Sequence, residues 1–288
     1  MEAPFHPAAE PTPPPFVSPA KPLGSLGFLD NLGSLDNLAP PDSQEQPTAN
    51  SSLVTRHSSL PPPLPPGLYL VGTPIGNLED ITLRALRVLR TATCILAEDT
   101  RHTRPLLDRY AIHTPLLSLH KWNERARESE ILSRIQSGQA LALVTDAGMP
   151  GISDPGARTA AAVRDAGLPV TVIPGPSAVT SAIALCGCSN TPAFRFEGFL
   201  DHKTATRRRR LRELADEPCP VVFYESTHRI LKLLDEVEEE LGPDRRLFIA
   251  RELTKKFEET LLAPPPALRA HYKTHSLKGE FVVILLPP

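Results

Sequence analysis

The sequence has few of the residues on which disulfide-rich and metal-binding proteins depend. Its 288 residues include only four cysteines, Cys94, Cys186, Cys188 and Cys219. They are too few and too irregularly spaced for a disulfide framework. The "CGC" pair could form half of a metal site, but it lacks a second pair and lies in an apolar helical pattern. We therefore expect small buried thiols, a reducing compartment and no metal.

The chain also lacks long apolar runs and a secretory leader. No stretch of about 18 apolar residues occurs, so no membrane span is expected. The N-terminus has neither the basic start nor the apolar core of a secretory signal. Its length leaves open a transit peptide for a chloroplast or mitochondrion, but such peptides are rich in arginine and poor in acids, the reverse of this segment. The expected location is the cytoplasm.

The chain also has no large excess of positive or negative residues, since the formal net charge is −2 at pH 7. Sixteen of the 33 prolines fall in residues 1–66, together with six acidic and two basic residues. This composition predicts a disordered Pro-rich tail over 1–66. The remainder has 27 acidic and 29 basic residues, so any contact with nucleic acid must come from a local patch.

From Gly67 onward, short apolar strands alternate with amphipathic helices. The strand candidates "LYLV", "TCILA", "ALALV" and "PVTVI" are each followed by a polar turn, and Asp80 is placed to cap the first helix. This alternation predicts an α/β domain with a largely parallel sheet. It continues through "FRFEGFL", "PVVFYE", "RLFIAREL" and "EFVVILL". We predict two α/β domains, 67–176 and 177–288, that meet at a ligand-binding cleft.

The first polar segments lie where strand candidates end. "GTPIGNLED" (72–80) is neither G-x-G-x-x-G nor a Walker loop, which counts against dinucleotide and nucleoside triphosphate binding. "AEDTRHTR" (97–104) places a dense group of charges at the same edge of the sheet. Taken alone, that group is typical of a solvated helix N-terminus. Its charged members are Glu98, Asp99, Arg101, His102 and Arg104.

The segment "DAGMPGISDPG" (146–156) follows the third of these strands and is rich in Gly and Pro. Ser153 or Asp154 can cap the next helix, with Pro155 at its first position. This explanation covers "SDPG" and leaves "DAGMPG" either as a plain turn or as a backbone surface for a small molecule. "PGPSA" (174–178) is a further strand-to-helix turn, with Ser177 available as a cap.

One strong local concentration of positive charge follows later in the chain. Its members are His202, Lys203, Arg207, Arg208, Arg209, Arg210 and Arg212. Four consecutive arginines cannot all face one way on a helix, so some must face solvent. The cluster is suited to phosphates. "YESTHR" (224–229) and "RELTKKFEE" (251–259) carry mixed charges that solvent-exposed strand ends would also explain.

Together these segments closely resemble the ribosomal small-subunit methyltransferase I family, within the tetrapyrrole methylase superfamily. The resemblance covers about residues 67–288. The matching segments, in order, are "GTPIGNLEDITLRAL", "AEDTRHTRPLL", "DAGMPGISDPG", "VIPGPSA", "FEGFL", "VFYESTHRI", "RELTKKFEE" and "KGEFVVIL". Eight motifs in the right order make the resemblance highly specific.

The resemblance implies a class III methyltransferase with two α/β domains, usually a homodimer, that binds S-adenosylmethionine in the cleft between the domains and uses no metal. The family's reaction is 2′-O-methylation of a cytidine ribose in the decoding region of 16S-type ribosomal RNA. A sulfonium donor is already activated, so the protein needs to align the reacting atoms, exclude water and take up a proton.

The resemblance also assigns residues to each partner. It places the methyl donor against Asp146, Gly148, Pro150, Ser153, Asp154, Pro174, Gly175 and Ser177. It implies that the loops "GTPIGN" and "AEDTR" face the reacting ribose. Together with the basic patch and "YESTHR", these loops give the residues expected to contact RNA: Pro74, Gly76, Asn77, Arg104, Lys203, Arg207, Arg208, Arg210, Glu225 and Arg229. The catalytic candidates are Asp99, Glu98 and Arg101. Asp99 is the first candidate for the proton acceptor and Glu98 the second, and Glu225 and Glu252 are the least favoured.

The sequence departs from the family pattern in three places. Met149 stands where a small polar residue is common, and "EETLLAPPPALRAHYKT" is Pro-rich where the family has an apolar and basic connection, which leaves the local structure there undefined. The chain also ends without the helical extension that many members carry. If that extension holds ribosomal RNA, we expect the RNA affinity either to be reduced or to be supplied by other residues, such as Arg207–Arg212.

Two other functions stay open from the residues. The first is methylation of tetrapyrrole precursors, whose enzymes typically have a first loop of G-x-G-x-G type where this chain has "GTPIGN". The second is a non-catalytic RNA-binding or assembly protein that keeps the scaffold.

Overall fold

The computed structural model describes residues 63–188 and 193–288, which contain two five-stranded sheets with helices on their faces. The predicted disordered tail, except for residues 63–66, lies outside the described residues. Within the described part, no helix combines the length and apolar character needed to cross a membrane. The predicted boundary between residues 176 and 177 stays a proposal.

The first sheet is entirely parallel and confirms the predicted α/β class. Its strands run in the order β3-β2-β4-β1-β5. They are β1 (Gly67–Val71), β2 (Cys94–Ala97), β3 (Leu116–Ser118), β4 (Ala140–Val144) and β5 (Val170–Ile173), connected by α1 (Leu83–Thr91), α2 (Thr100–Arg109), α3 (Glu124–Gln136) and α4 (Ala157–Asp165).

Helices cover both faces of this sheet. Buried Leu89 of α1 and Leu107 of α2 pack on one face, and Ile131 of α3 and Val163 of α4 pack on the other. Because helices cover both faces at the centre of the sheet, strands such as β4, all five residues of which are buried, are continuous apolar runs in the sequence. Parallel strands end at one edge of the sheet, so all the polar loops after them meet there.

The second sheet is mixed, in the order β6-β7-β10-β8-β9, with β6 and β7 parallel and the other pairs antiparallel. Its elements, in chain order, are α5 (Ala178–Cys186), β6 (Arg195–Phe199), α6 (Thr204–Glu213), β7 (Val221–Ser226), α7 (Ile230–Leu241), β8 (Leu247–Arg251), β9 (Glu259–Ala263), α8 (Pro265–Tyr272) and β10 (Glu280–Leu285).

Helices cover the two faces of the second sheet unequally. One face carries a core with residues from α6, α7 and α8, including Leu211, Leu233 and Leu268. On the other face only α5 contributes fully buried helical residues, Val179 and Ala182, among the residues that the structure describes. This lightly covered face turns toward the loops of the first sheet.

The segment left undefined by the sequence, "EETLLAPPPALRAHYKT", forms β9 and α8. β9 pairs antiparallel with β8 at the edge of the sheet, where alternate residues are partly covered and exposed. Pro265 is the first residue of α8, a position where proline's missing N–H costs nothing. The prolines therefore begin a helix here and do not interrupt one.

Two predicted helix caps are wrong. Thr82, not Asp80, caps α1, because its side chain accepts from the N–H of Ala85 at 3.0 Å. α4 begins at Ala157 after Gly156, whose φ of 122° suits glycine, and neither Ser153 nor Asp154 caps it.

The cap of α4 comes from a distant residue, Glu124 at the start of α3. The Oε1 atom of this buried carboxylate accepts from the N–H groups of Gly156 at 3.1 Å and Thr159 at 2.8 Å, and from the Thr159 hydroxyl at 2.9 Å. Three charge-assisted bonds at the positive end of a helix fix the start of α4 against α3. They also leave Asp154 free of any structural role in the helix.

We predict that Glu124→Ala lowers the free energy of unfolding by about 2–4 kcal/mol, because it strands two backbone donors and a buried hydroxyl. Denaturant unfolding followed by circular dichroism measures this change. Glu128→Ala, one turn later, removes an exposed ion pair with Arg158 and should cost less than about 1 kcal/mol. Equal losses in the two variants would refute the capping role.

Candidate functional site

The loops after β1 and β4 are joined by their backbones at the carboxyl edge of the first sheet. The N–H of Thr73 donates to the carbonyl of Gly148 at 2.9 Å, and the N–H of Gly148 donates to the carbonyl of Thr73 at 3.1 Å. Gly148 has a φ of 77°, which favours glycine. The "DAGMPG" half of its segment is therefore held in part by a neighbouring loop.

The loop after β5 touches the loop after β1 without intervening side chains. A Cβ atom added to Gly72 would lie 2.7 Å from the Cα of Gly175, and one added to Gly175 would lie 2.8 Å from the Cα of Gly72. Real side chains do not approach backbone so closely, so both glycines are required by the contact. The first, third and fourth polar segments of the sequence thus form one continuous wall.

This wall borders a cavity of about 520 Å³ that opens toward the lightly covered face of the second sheet. The volume falls in the range of small-molecule sites, about 300–1,000 Å³. The predicted residues that line it are Asp146, Gly148, Ser153, Asp154, Ser177 and Glu225. Apolar and aromatic lining comes from Met149, noted in the sequence as a departure from the family pattern, and from residues that the sequence analysis did not single out: Ile75, Ile152, Phe199, Tyr224, Leu253 and Phe281.

Two carboxylates, Asp146 and Asp154, line the polar side of the cavity, and a third, Glu98, interacts with both without lining it. Burial raises the pKa of Asp154 from 3.8 to about 6, and the charges of Glu98 and Asp146 add to the shift. Burial also raises the pKa of Glu98, again with a contribution from Asp146. The raised pKa values of Glu98 and Asp154 mean that negative charge here is only weakly compensated by the protein. The cavity therefore favours a ligand that carries positive charge.

Asp99, the leading catalytic candidate, lies in a different environment from Glu98. Its Oδ1 accepts from the N–H of Arg101 at 2.8 Å, which caps α2, and its Oδ2 accepts from Nη2 of Arg101 at 2.9 Å. These bonds lower its pKa to about 2. Its backbone N–H donates to Oδ1 of Asp146 at 3.1 Å, which connects the loops after β2 and β4. Asp99 thus serves the loop architecture and is a weak base.

Glu225 is buried in the opposite wall of the cavity. Its Oε1 accepts from Nε of Arg229 and from the N–H of Ser226, each at 2.6 Å. Its Oε2 is buried and has no partner. A buried carboxylate oxygen without a donor is costly, so this atom offers a ready position for a donor group of a bound ligand. Next to it, burial and the charge of Asp154 raise the pKa of Tyr224 to about 12.

The remaining predicted loop residues support the cavity from behind. Pro150 and Pro174 lie in the bordering loops but do not line the cavity, as is also true of Gly175. Pro74 is buried, whereas Gly76 and Asn77 are exposed and face the loop after β8.

This contact between the loops after β1 and β8 is tight. The N–H of Asn77 donates to Oγ1 of Thr254 at 3.0 Å, and Gly76 packs directly against the same residue. Glu252 and Thr254 have φ values of 52° and 64°, a strained backbone for residues with side chains. Glu252, one of the less favoured candidates for the proton acceptor, accepts a hydrogen bond from Nζ of Lys255 at 2.9 Å. The two halves of the described chain are thus connected behind the cavity.

The basic patch on α6 is not a free positive surface, which corrects the expectation for its arginines. Arg207 is 1% exposed and pairs with Glu236 of α7, so it cannot contact RNA. The other paired members are Arg208 with Glu239 and Glu240, Arg210 with Glu197 and Glu213, and Arg212 with Glu240. Lys203 remains exposed. The positive charge counted along the sequence is here cancelled by carboxylates of α7, β6 and α6 itself.

Within residues 63–188 and 193–288, no group of three or more His, Cys, Asp or Glu side chains is arranged to hold a metal ion. Sequence reasoning missed Glu124 because its partners lie more than thirty positions away. It also missed Phe199 and Tyr224, which contact each other with ring centroids 5.3 Å apart. These rings lie within "FEGFL" and "YESTHR", where the charged neighbours are the more conspicuous signal.

Comparison with known proteins identifies relatives over about three quarters of the chain. The family model of the tetrapyrrole (corrin/porphyrin) methylases matches residues 67–266. The ribosomal RNA small subunit methyltransferase I of Xylella fastidiosa (strain Temecula1) is 47% identical over 77% of this chain and 81% of its own length. The protein of the same name from Thermotoga maritima is 46% identical over 76% of this chain and 97% of its own length.

Solved structures support the fold alone, because their identities are low. Diphthine synthase superposes with a TM-score of 0.60 at 16% identity, over 76% of this chain and 89% of that one. A uroporphyrin-III C-methyltransferase from Thermus thermophilus, in complex with S-adenosylhomocysteine, gives a TM-score of 0.53 at 20% identity, over 76% of this chain and 96% of that one. On the family model and the curated relatives, the chain belongs to the ribosomal RNA small subunit methyltransferase I family and, with it, to the tetrapyrrole (corrin/porphyrin) methylases.

Proposed function

We propose that this protein transfers a methyl group from S-adenosylmethionine to the 2′-oxygen of a cytidine ribose in the decoding region of small-subunit ribosomal RNA. The observation that carries the proposal is the acid-lined cavity at the carboxyl edge of the first sheet, in a chain 42–47% identical to relatives named for small-subunit RNA methylation. Tetrapyrrole enzymes share the fold at only 17–22% identity, which favours RNA over a tetrapyrrole as the acceptor.

The cavity fits a cationic methyl donor on two grounds. Asp146 and Asp154 supply negative charge that the protein leaves weakly compensated, and a sulfonium or ammonium group would relieve the repulsion between them. Oε2 of Glu225 lacks a donor, which an amino or hydroxyl group of the ligand would provide. Ser177 and the backbone around Gly148 complete the residues that we propose for the donor.

When bound, S-adenosylmethionine supplies an electrophilic methyl group that needs no further activation. The protein then has to hold the donor, exclude water and accept the proton of the ribose hydroxyl. We assign water exclusion to Met149, Phe199 and Tyr224, which line the cavity with apolar surface. The loops after β1 and β2 are proposed to face the ribose.

The order of the two leading proton acceptors is reversed in this proposal. Glu98 has a raised pKa, so its carboxylate holds a proton more readily, whereas Asp99 has a pKa of about 2 and is engaged by Arg101. A carboxylate with a higher pKa is the stronger general base as long as it is ionised at the working pH. Arg101 then acts by holding Asp99 and α2 in place.

Two further features belong to the proposal. A homodimer is supported by apolar side chains left exposed on β5 and α5, among them Val172 and Leu185. Such residues commonly mark contacts between proteins, and analytical ultracentrifugation tests the dimer. Action on ribosomal RNA places the protein with the ribosomes, in the cytoplasm or, if the tail is a targeting segment, in a chloroplast or mitochondrion.

Asp154→Asn should weaken donor binding and stabilise the ligand-free protein. Because the folded-state pKa is raised from 3.8 to about 6, the stabilising contribution of this group is complete below pH 4 and is lost as pH rises through 6. At pH 7.5 the variant should gain about 1 kcal/mol, or roughly 2–4 °C in Tm. In the wild type, donor affinity should rise between pH 5 and 7, and in the variant it should be flat.

Calorimetric titration with the donor and thermal unfolding at several pH values measure both effects. Asp165→Asn is the control, because this carboxylate is exposed at the C-terminal end of α4 and does not line the cavity. Unchanged donor affinity in Asp154→Asn at pH 7.5 would rule out the assignment.

Glu98→Gln should lower kcat for methyl transfer by about 10²–10⁴-fold, since it removes the proton acceptor. Asp99→Asn keeps a capping oxygen for α2 and should lower kcat by no more than about tenfold. Donor binding by each variant, measured by titration calorimetry, should match the wild type. A larger loss of kcat in Asp99→Asn would restore Asp99 as the base.

The proposed reaction itself is tested with purified protein and isotopically labelled methyl donor. Separate incubations contain small ribosomal subunits, naked small-subunit RNA or a tetrapyrrole precursor. We expect label on a ribose 2′-oxygen, identified by nuclease digestion and mass spectrometry. Label confined to the tetrapyrrole would overturn the acceptor, and donor binding without any transfer would favour a non-catalytic RNA-binding protein.

A further inference from the structure

We propose that two exposed aromatic–lysine pairs beside the candidate site, Lys121/Trp122 and Lys256/Phe257, hold unpaired bases of the substrate RNA by stacking. The inference rests on the proposed function, since it names the surface by which the RNA would be held. It gives a binding role to residues in two loops that have none in the donor site or in the core.

The first pair lies in the turn between β3 and α3. Trp122 is 82% exposed, and Nζ of Lys121 lies 4.9 Å from the centroid of its ring. Trp is usually largely covered in a folded chain, so a solvent-facing indole is a notable exposure of apolar surface. The lysine occupies one side of the ring, and a base on the ring would bring a phosphate within reach of the ammonium group.

The second pair lies in the loop between β8 and β9 and repeats this arrangement. Phe257 is 65% exposed, and Nζ of Lys256 lies 5.5 Å from the centroid of its ring. The loop is held firmly, because its strained segment at Thr254 binds the N–H of Asn77 at 3.0 Å. An aromatic ring on a fixed loop loses little conformational freedom when a base stacks on it.

Both pairs border the edge of the first sheet where the proposed base Glu98 lies. β3 is the neighbour of β2, with Ser118 beside Ala97, and the N–H of Leu119 donates to the carbonyl of Ala97 at 2.8 Å. Glu98 comes directly after β2, and Trp122 comes after the neighbouring strand β3, at the same edge of the sheet. Phe257 lies in the loop that contacts the segment after β1. The two rings thus belong to loops on either side of the loops proposed to face the ribose.

The distribution of unpaired cations supports RNA as the occupant. The α6 arginines, other than the weakly paired and exposed Arg209, are bound by carboxylates of nearby elements. By contrast, Lys121, Arg104 and Arg125 of the first half are exposed, and among the described residues no carboxylate lies within 4.0 Å of them. Exposed aromatic rings combined with free cations are the usual equipment for single-stranded nucleic acid.

The chain has one tryptophan, so its fluorescence reports directly on this surface. Titration of the full protein with small-subunit ribosomal RNA should quench the emission of Trp122, whereas inorganic polyphosphate, which offers charge without bases, should not. Unchanged emission at RNA concentrations that saturate a filter-binding assay would overturn the role of Trp122.

Variants separate stacking from simple apolar contact. Trp122→Leu and Phe257→Leu should each weaken RNA binding and raise KM for the RNA by roughly 5- to 150-fold, the range for loss of one stacked base. Trp122→Phe and Phe257→Tyr should retain most of the affinity. Both side chains are exposed, so unfolding temperature and donor affinity should stay at the wild-type values in all four variants.

Wild-type RNA affinity in both leucine variants would refute the inference. It would also be refuted if the leucine variants change the sedimentation of the protein and leave RNA binding intact, because the rings would then mark a contact between proteins. Methyl transfer by the wild type with unaffected leucine variants would leave the proposed function standing without this surface. Quenching by RNA in a protein that transfers no methyl group would support this RNA-binding surface and refute the proposed function.

Discussion

The reciprocal hydrogen bonds between Thr73 and Gly148 are the constraint on which the rest of the site depends. At 2.9 and 3.1 Å they tie the loop after β1 to the loop after β4, so neither can move alone. The contact of Gly72 with Gly175 adds the loop after β5, and the bond from Asp99 to Asp146 adds the loop after β2. Four strand ends thus form one rigid edge, built mainly from backbone atoms.

The electrostatics of the cavity follow from this edge. Once the loops are fixed, burial and the charge of Asp146 raise the pKa of Glu98, and burial and the charges of Glu98 and Asp146 raise the pKa of Asp154. No cation of the protein lies among the main causes for Asp154. Such crowding is tolerated only where the surrounding structure holds it. Glu124 makes it possible, because it caps α4 from α3 and so leaves Asp154 to the cavity.

The sequence predicted the features that depend on local pattern. Buried strands such as β4 read as apolar runs, and the polar loops after them were located at the same edge because parallel strands share a direction. What failed depends on partners distant in the chain. The cap of α4 comes from Glu124, and the charge on Arg207 is cancelled by Glu236, 29 positions later. The β9 strand lies at the edge of the sheet, where its residues alternate only between partly covered and exposed, so it has no buried apolar run in the sequence.

The arginines of α6 show why counting charge along a chain misplaces a binding surface. A guanidinium buried with a carboxylate contributes almost nothing to the field outside the protein, because the fields of the two opposite charges nearly cancel at distances larger than their separation. Arg207 and Glu236 form such a pair, and the arginines around them bind further acids of nearby elements. An isolated lysine beside an exposed ring, as at Lys121 and Trp122, keeps its field and adds a stacking surface. For an anionic polymer with aromatic bases, few unpaired charges in the right place therefore count for more than a cluster that the fold has neutralised.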